Sequence, residues 1–181
     1  MVNNAGILFG GRFEELSLEM WRRTFDVNFW GVVHGTHAAW SIMQRRGAGH
    51  IVNVASIHGI LPGIRCSPYT ASKFSIVGLG QALRAEGAAH GIRVTTACPG
   101  FVRTGLFERH GYWRDLYGAG LERSVPVRFM EPDEVARRIL RGVARNKGLL
   151  VFPASARILC LLQRISPRLV TSLTTRILRR R

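Results

Sequence analysis

Lysine is almost absent from this chain. Of 26 basic residues only Lys73 and Lys147 are lysine, and the rest are arginine. Acidic residues are also scarce, 11 in 181, which leaves a formal charge of +15 and a pI near 11.5. Such an excess ordinarily points to nucleic acid or an anionic membrane. Here the arginines are spread from Arg12 onward and thicken at Arg176, Arg179, Arg180 and Arg181. They lack the aromatic interleaving of an RNA or DNA reader, so nucleic acid is not an expected partner. Cysteine is limited to Cys66, Cys98 and Cys160, widely spaced and with no Cys-x-x-Cys pair. That pattern argues against a disulfide framework or a zinc site and fits a reducing, cytoplasmic setting. His34 and His37 can share a helical face but have no third ligand nearby, so no metal is expected. No apolar run reaches the ~20 residues of a membrane span, and Met1 to Gly11 lack the basic and apolar segments of a signal peptide. Apolar residues are plentiful instead. A 46% hydrophobic composition excludes a disordered chain, and 181 residues suit one globular domain.

Taken in order, Met1 to Gly6 reads as the end of a strand running into a polar turn. From Ser17, a plausible N-cap, apolar residues recur on a helical rhythm to Arg45. Asn28 sits inside that helix, where it is either a solvent-facing residue or a buried polar relay. Gly47 to Gly49 break the helix, and His50 to Ala55 reads as a buried strand ending at Ser56. A second helix runs from Tyr69 to His90 and stops at Gly91, followed by a strand from Ile92 to Cys98 and a turn from Pro99 to Thr104. A helix from Glu131-Pro132-Asp133 and a strand from Gly148 to Phe152 close the pattern. Strands alternating with helices predict an α/β fold with a parallel sheet covered on both faces, and in such sheets ligands bind outside the carboxyl ends of the strands. Asn4, Ser56 and Pro99 all fall at those ends.

Ser56 to Lys73 carries the chemistry. If Tyr69 opens a helix, Lys73 lies four residues on and on the same face, beside the phenol. A neighbouring cation favours phenolate and turns an inert tyrosine into a proton donor and acceptor near neutral pH. Ser56 supplies a hydroxyl for a substrate oxygen. The bland alternative is a ring packed near a solvated lysine. Against it stands the use of lysine in a chain that otherwise chooses arginine, since lysine can tune a neighbour and still hydrogen-bond a sugar hydroxyl.

These residues resemble the short-chain dehydrogenase/reductase family over almost the whole chain to about Phe152. Asn3-Asn4-Ala5-Gly6 is similar to the family's turn that supports the sheet and borders the adenosine side of the cofactor. Asn28 matches its helix asparagine, and Ser56 precedes Tyr69 by 13 positions, the family's spacing. Pro99-Gly100 with Val102 and Thr104 is similar to the loop at the nicotinamide end. The resemblance implies a Rossmann-like, doubly wound parallel sheet, NAD or NADP as cofactor, and a small-molecule alcohol or carbonyl as substrate. It implies Asn28, Ser56, Tyr69 and Lys73 as catalytic residues. Cofactor contacts are implied at Asn4, Ala5, Gly6, Tyr69, Lys73, Pro99, Gly100, Val102 and Thr104.

One family element is not matched. The strand, Thr-Gly-x-x-x-Gly-x-Gly turn and helix that receive the pyrophosphate have no counterpart. Gly78 and Gly80 fall inside a predicted helix instead. The expectation is a sheet lacking the first βαβαβ portion, roughly 80 residues at about 30 per βαβ unit, with an exposed edge at the first strand. A non-catalytic chain that keeps the family's association helices, Ser17 to Arg45 and Tyr69 to His90, is the rival reading. In that rival reading the chain pairs with itself or with a full-length relative, and a homo-oligomer is expected in the enzyme reading as well. Residues 105–130 carry Phe107, Tyr112, Trp113, Tyr117 and Phe129 and read as an aromatic lid over an apolar substrate. The expected division is 1–153 as the enzyme-like part and 154–181 as a basic amphipathic helical tail. That tail lies on an anionic membrane, covers the core, or meets a partner subunit.

Overall fold

The computed structural model describes residues 1–106, 129–168, 170–172 and 175. Strand β1, Val2–Asn3, leads through a 3-10 turn at Phe13–Glu15 to helix α1, Leu18–Phe25. Ser17 caps α1 as its sequence position predicts, with Oγ accepting from Met20 N at 3.3 Å. The single helix expected to Arg45 is three pieces. Asp26–Trp30 is a π-helical turn between α1 and α2, Gly31–Arg46. Each i to i+5 bond widens the helix there and shifts its faces, which no 3.6-residue rhythm reveals.

Strand β2, Gly49–Val54, is followed by a 3-10 turn at Ile57–Gly59 and by α3, Ser67–Ala88. Then come β3, Ile92–Pro99, α4, Pro132–Ala144, β4, Leu149–Phe152, and α5, Ala154–Ile165. Tyr69 is therefore in the first turn of α3, with Pro68 just ahead of it where a missing N–H costs nothing.

The four strands form one parallel sheet in the order β1-β2-β3-β4, with Val2 opposite Val52, Asn53 opposite Thr96 and Cys98 opposite Val151. Alternate residues of β3 show the two layers. Val94 and Cys98 pack with α2 and α3 residues, including Trp40, Val32, Ile76 and Leu83. Ala97 packs on the opposite face with Val135 and Ile139 of α4. The sheet is thus doubly wound, as the alternation of elements predicts.

Asn3 closes the first strand onto this frame, with Nδ2 donating to Asn53 Oδ1 at 2.8 Å and to Thr36 Oγ1 at 3.1 Å. A side chain on Asn3 thereby joins β1, β2 and α2. The far side of β1 is an open edge of the described sheet.

Helix α3 lies close on β3 because position 80 is glycine. A Cβ there would sit 2.0 Å from Thr96 Oγ1, whereas one on Gly78, two residues earlier and exposed, would meet nothing within 4 Å. The pair separates packing from helix propensity. Gly80→Ala should destabilise by about 1–3 kcal/mol through overpacking, while Gly78→Ala should stabilise by about 0.5–1 kcal/mol through propensity alone. Urea midpoints of the two variants measure the difference; equal shifts of the same sign would show that α3 does not depend on close approach at Gly80.

Candidate active site

Every parallel strand ends on the same edge, so the residues that follow them meet there. Asn4 to Ile7 come from β1, Val54 to His58 from β2, and Pro99 to Leu106 from β3. Tyr69 and Lys73 reach in from the first two turns of α3, and Pro132, Val135, Ala136 and Ile139 form a wall from α4. Together they line a cleft of about 570 Å³. Of the site residues expected from sequence, Asn4, Ala5, Gly6, Ser56, Tyr69, Lys73, Pro99, Gly100, Val102 and Thr104 all line it. Asn28 does not.

Asn28 lies behind the cleft, fully buried. The open choice between a surface and a buried residue is thereby decided for the buried one. Its Oδ1 accepts from Ile7 N at 2.8 Å, and its Nδ2 donates to Ile7 O at 2.9 Å and to Ser72 Oγ at 3.0 Å. Ser72 Oγ in turn donates to Tyr69 O at 2.7 Å. A chain of hydrogen bonds thus runs from the loop after β1 through the π turn to α3. The loop lies in ordinary contact with it, since a Cβ on Gly6 would be 3.5 Å from Asn28 Oδ1 and 3.5 Å from Lys73 Nζ.

Lys73 is buried at 3% exposure, and its Nζ donates to Val54 O at 2.9 Å. Nζ stands 5.6 Å from the centroid of the Tyr69 ring, on its face. Gly59 lets the turn after Ser56 close on this helix, because a Cβ there would sit 2.6 Å from the Lys73 carbonyl oxygen. Ser56 is buried as well, and its Oγ accepts from His58 N at 3.2 Å.

Burial dominates the electrostatics. It pushes the Tyr69 phenol up to about 12, with a hydrogen bond from Ser56 pulling partly the other way. It pulls the Lys73 ammonium down to about 8. The expected depression of Tyr69 by Lys73 is not what this structure gives, because taking both groups out of water favours their neutral forms. At neutral pH the site therefore holds a protonated phenol beside an ammonium that gives up its proton just above neutrality. His58 is pulled down to about 4 by burial, against a weaker opposing hydrogen bond at the Leu61 backbone. Its ring meets those of Tyr69 and Phe101 edge-on, with centroids 6.4 Å away in each case.

Sequence reasoning left Ser72, His58, Phe101 and the α4 wall without a role. Ser72 and His58 stand inside the stretch that carries the chemistry, but the partner of Ser72 is 44 residues away and no local pattern marks it. The α4 residues show only as one apolar side of an amphipathic helix. The lid expected over 105–130 falls mostly outside the described residues. The segment just before it lies beside its last residues, with Val102 bridged to Met130 and the Phe101 and Phe129 rings 5.3 Å apart.

Comparison with known proteins agrees with this architecture. The chain is 38% identical over 151 residues to an acetoacetyl-CoA reductase of Rhizobium meliloti (strain 1021), covering 83% of this chain and 62% of that protein. It is 37% identical over 142 residues to a 3-alpha-(or 20-beta)-hydroxysteroid dehydrogenase of Mycobacterium bovis, covering 77% of this chain and 51% of that protein. The chain therefore spans between half and two thirds of the length of these curated relatives. Among solved structures, a short chain dehydrogenase/reductase from Burkholderia phymatum in complex with NAD superposes with a TM-score of 0.81 at 27% identity, over 93% of this chain and 66% of that one. The profile of the family described as short chain dehydrogenase matches residues 1–115, and the chain belongs to that family.

Proposed function

We propose that this chain carries the active site of an oxidoreductase that interconverts an alcohol and a carbonyl on a lipophilic small molecule, with NAD or NADP as cofactor. One observation supports the reading above others: Ser56, Tyr69, Lys73, Asn4 to Gly6 and Pro99 to Thr104, from separate parts of the chain, face a single cleft at the carboxyl edge of the sheet.

The residues present fit the nicotinamide half of such a cofactor. Lys73 Nζ has three donors, gives one to Val54 O, and faces the cleft with the others available for ribose hydroxyls. Asn4 to Gly6 and the stretch from Pro99 to Thr104 would flank the cofactor on opposite sides. The sequence has no Thr-Gly-x-x-x-Gly-x-Gly stretch, the pattern that would cradle the pyrophosphate. A bound nicotinamide supplies or takes up the hydride at the substrate carbon.

The protein's own part is proton transfer and positioning. Tyr69 exchanges a proton with the substrate oxygen, and Ser56, hydrogen-bonded to Tyr69, holds that oxygen in reach. A phenol pushed up to about 12 stays protonated at neutral pH, the form a proton donor to a carbonyl oxygen must have. Lys73 places positive charge over the ring face and steadies negative charge as it develops on the phenol oxygen. Asn28 is a positioning residue. Both Nδ2 hydrogens and one lone pair of Oδ1 are engaged, and the remaining lone pair can only accept, as from a water through which protons would pass toward solvent.

Phe101, Val135 and Ile139 make the cleft wall largely apolar, which is the basis for a lipophilic substrate. A relative named for a hydroxysteroid accords with such a substrate, while one named for acetoacetyl-CoA does not. We further assign residues 1–153 to the enzyme domain and 154–181 to a basic appendage. A row of aromatic rings from Phe13 along α1 and through the π turn, with Phe13 70% and Trp30 48% exposed, favours a homo-oligomer. Three free, buried cysteines suit a cytoplasmic protein.

Titrating the folded chain with NADH and with NADPH, followed by fluorescence, tests the cofactor assignment. Saturable micromolar binding is expected for at least one, and a folded chain that binds neither would remove it. Tyr69→Phe should lower turnover by at least about 100-fold, the lower end for a general acid, with circular dichroism and cofactor binding retained. Substantial activity in that variant would refute the role of Tyr69. The pH dependence follows from burial. Tyr69 keeps its proton to about 12, while Lys73 loses its proton as pH rises through about 8. Reduction should therefore hold its kcat/KM below pH 8 and decline above it. In Lys73→Arg, whose guanidinium does not titrate in this range, that decline should move to higher pH. A limb unchanged in the variant would assign it to another group.

A further inference from the structure

The positive charge of this chain is concentrated. All 11 acidic residues lie at or before Glu134, and the 47 residues from Val135 to Arg181 hold eleven arginines, Lys147 and no acid, so +12 of the formal +15 belongs to them. Within that region α5 is seated on the sheet edge. Ala156 and Cys160 are buried on its inner side, and Arg157 Nε donates to Val151 O of β4 at 2.6 Å.

The opposite side of α5 is apolar and open. Ile158, Leu161, Leu162 and Ile165 follow the i, i+3, i+4, i+7 spacing of one helical face. Ile158 is 60%, Leu161 57% and Ile165 81% exposed. Arg157 and Arg164 flank this stripe on one side, seven residues apart, and Arg168 follows just beyond the helix; all three are exposed. A helix that buries a narrow seam against its own domain and turns a second apolar stripe outward between arginines is amphipathic twice over. No described helix is long and apolar enough to cross a membrane.

We propose that the outward face of α5 docks on an anionic lipid surface, its aliphatic stripe entering the acyl boundary and its arginines lying at the headgroups. Charge decides between possible occupants. A second copy laid on the same face would bring two acid-free, strongly cationic segments together without compensation. Nucleic acid would accept the arginines but offers its phosphates nothing to pair with four aliphatic side chains, and the stripe has no aromatic ring for stacking. An anionic bilayer satisfies both halves of the pattern. This inference stands apart from the catalytic reading, and its test involves no turnover.

Co-sedimentation of the full chain with vesicles measures it, using phosphatidylcholine alone and phosphatidylcholine mixed with phosphatidylglycerol. Partition should be more than about tenfold stronger onto the anionic vesicles, at about fivefold per arginine held near the surface, and should weaken as salt is raised. Leu161→Glu/Ile165→Glu, both at exposed positions, should weaken it at least tenfold with the circular dichroism spectrum unchanged. If that variant fails to fold, Arg164→Gln/Arg168→Gln serves instead, with a loss of similar size expected on anionic vesicles. The proposal is overturned by absence of partition onto either vesicle, including in a chain that retains duplex DNA, or by partition that the folded variant leaves unchanged. It is also overturned if analytical ultracentrifugation shows a self-associated wild type and a monomeric glutamate variant while anionic vesicles bind both alike, which would assign the face to a second copy.

Discussion

The amide of Asn28 holds three parts of the molecule in one arrangement. A buried side-chain amide must find partners or lose roughly 1–3 kcal/mol per unsatisfied group. Asn28 finds them on the loop after β1 and on Ser72 of α3. The π turn at Asp26–Trp30 is the local distortion that aims the side chain inward. From this point the loop that lines one wall of the cleft and the helix that carries Tyr69 and Lys73 are held in fixed relation. If Asn28 faced solvent, α3 could still pack on β3 through Gly80, but the position of the loop at Gly6 would be undetermined.

Burial then does two things to the same residues. It places the Tyr69 ring, the Lys73 ammonium and the Ser56 hydroxyl in a space with little water, and it moves the proton affinities of the first two in opposite directions. A surface Tyr-x-x-x-Lys pair would have the spacing without either consequence. The geometry and the titration behaviour are products of one cause, which is why the site cannot be described by distances alone. The same desolvation keeps His58 uncharged against the Tyr69 and Phe101 rings, so the cation nearest the phenol is Lys73.

The sheet divides the labour of the rest. Its carboxyl edge gathers the polar groups, and one face packs α2 and α3 while the other packs α4, whose inner side also walls the cleft. At the far edge α5 covers β4 with only two small buried side chains, Ala156 and Cys160, which leaves its larger residues facing outward. The basic, acid-free carboxyl-terminal region thus has a described structural anchor. Its charge is a property of the sequence, but the direction in which its apolar residues point is a property of the packing.

Much of this was legible from sequence because the relevant rules are local. Alternation of strand and helix gave the parallel, doubly wound sheet; Ser17 read as a cap; the ends of the strands marked Asn4, Ser56 and Pro99 for one edge; and four-residue spacing put Lys73 beside Tyr69. Other features required the folded chain. Whether Asn28 faced water or core depended on a π turn that breaks the helical period and on Ile7 and Ser72, which lie 21 and 44 residues away. The sign of the Tyr69 shift depended on how much water the fold removes, where sequence spacing alone predicted the opposite. The sequence by itself determined which residues are chemically able and which strand ends they follow, because those depend on side-chain type and period. Only the tertiary structure decided which of them are buried, what they bond to and in which direction their protons are held, because desolvation and long-range hydrogen bonds exist only once distant segments have packed.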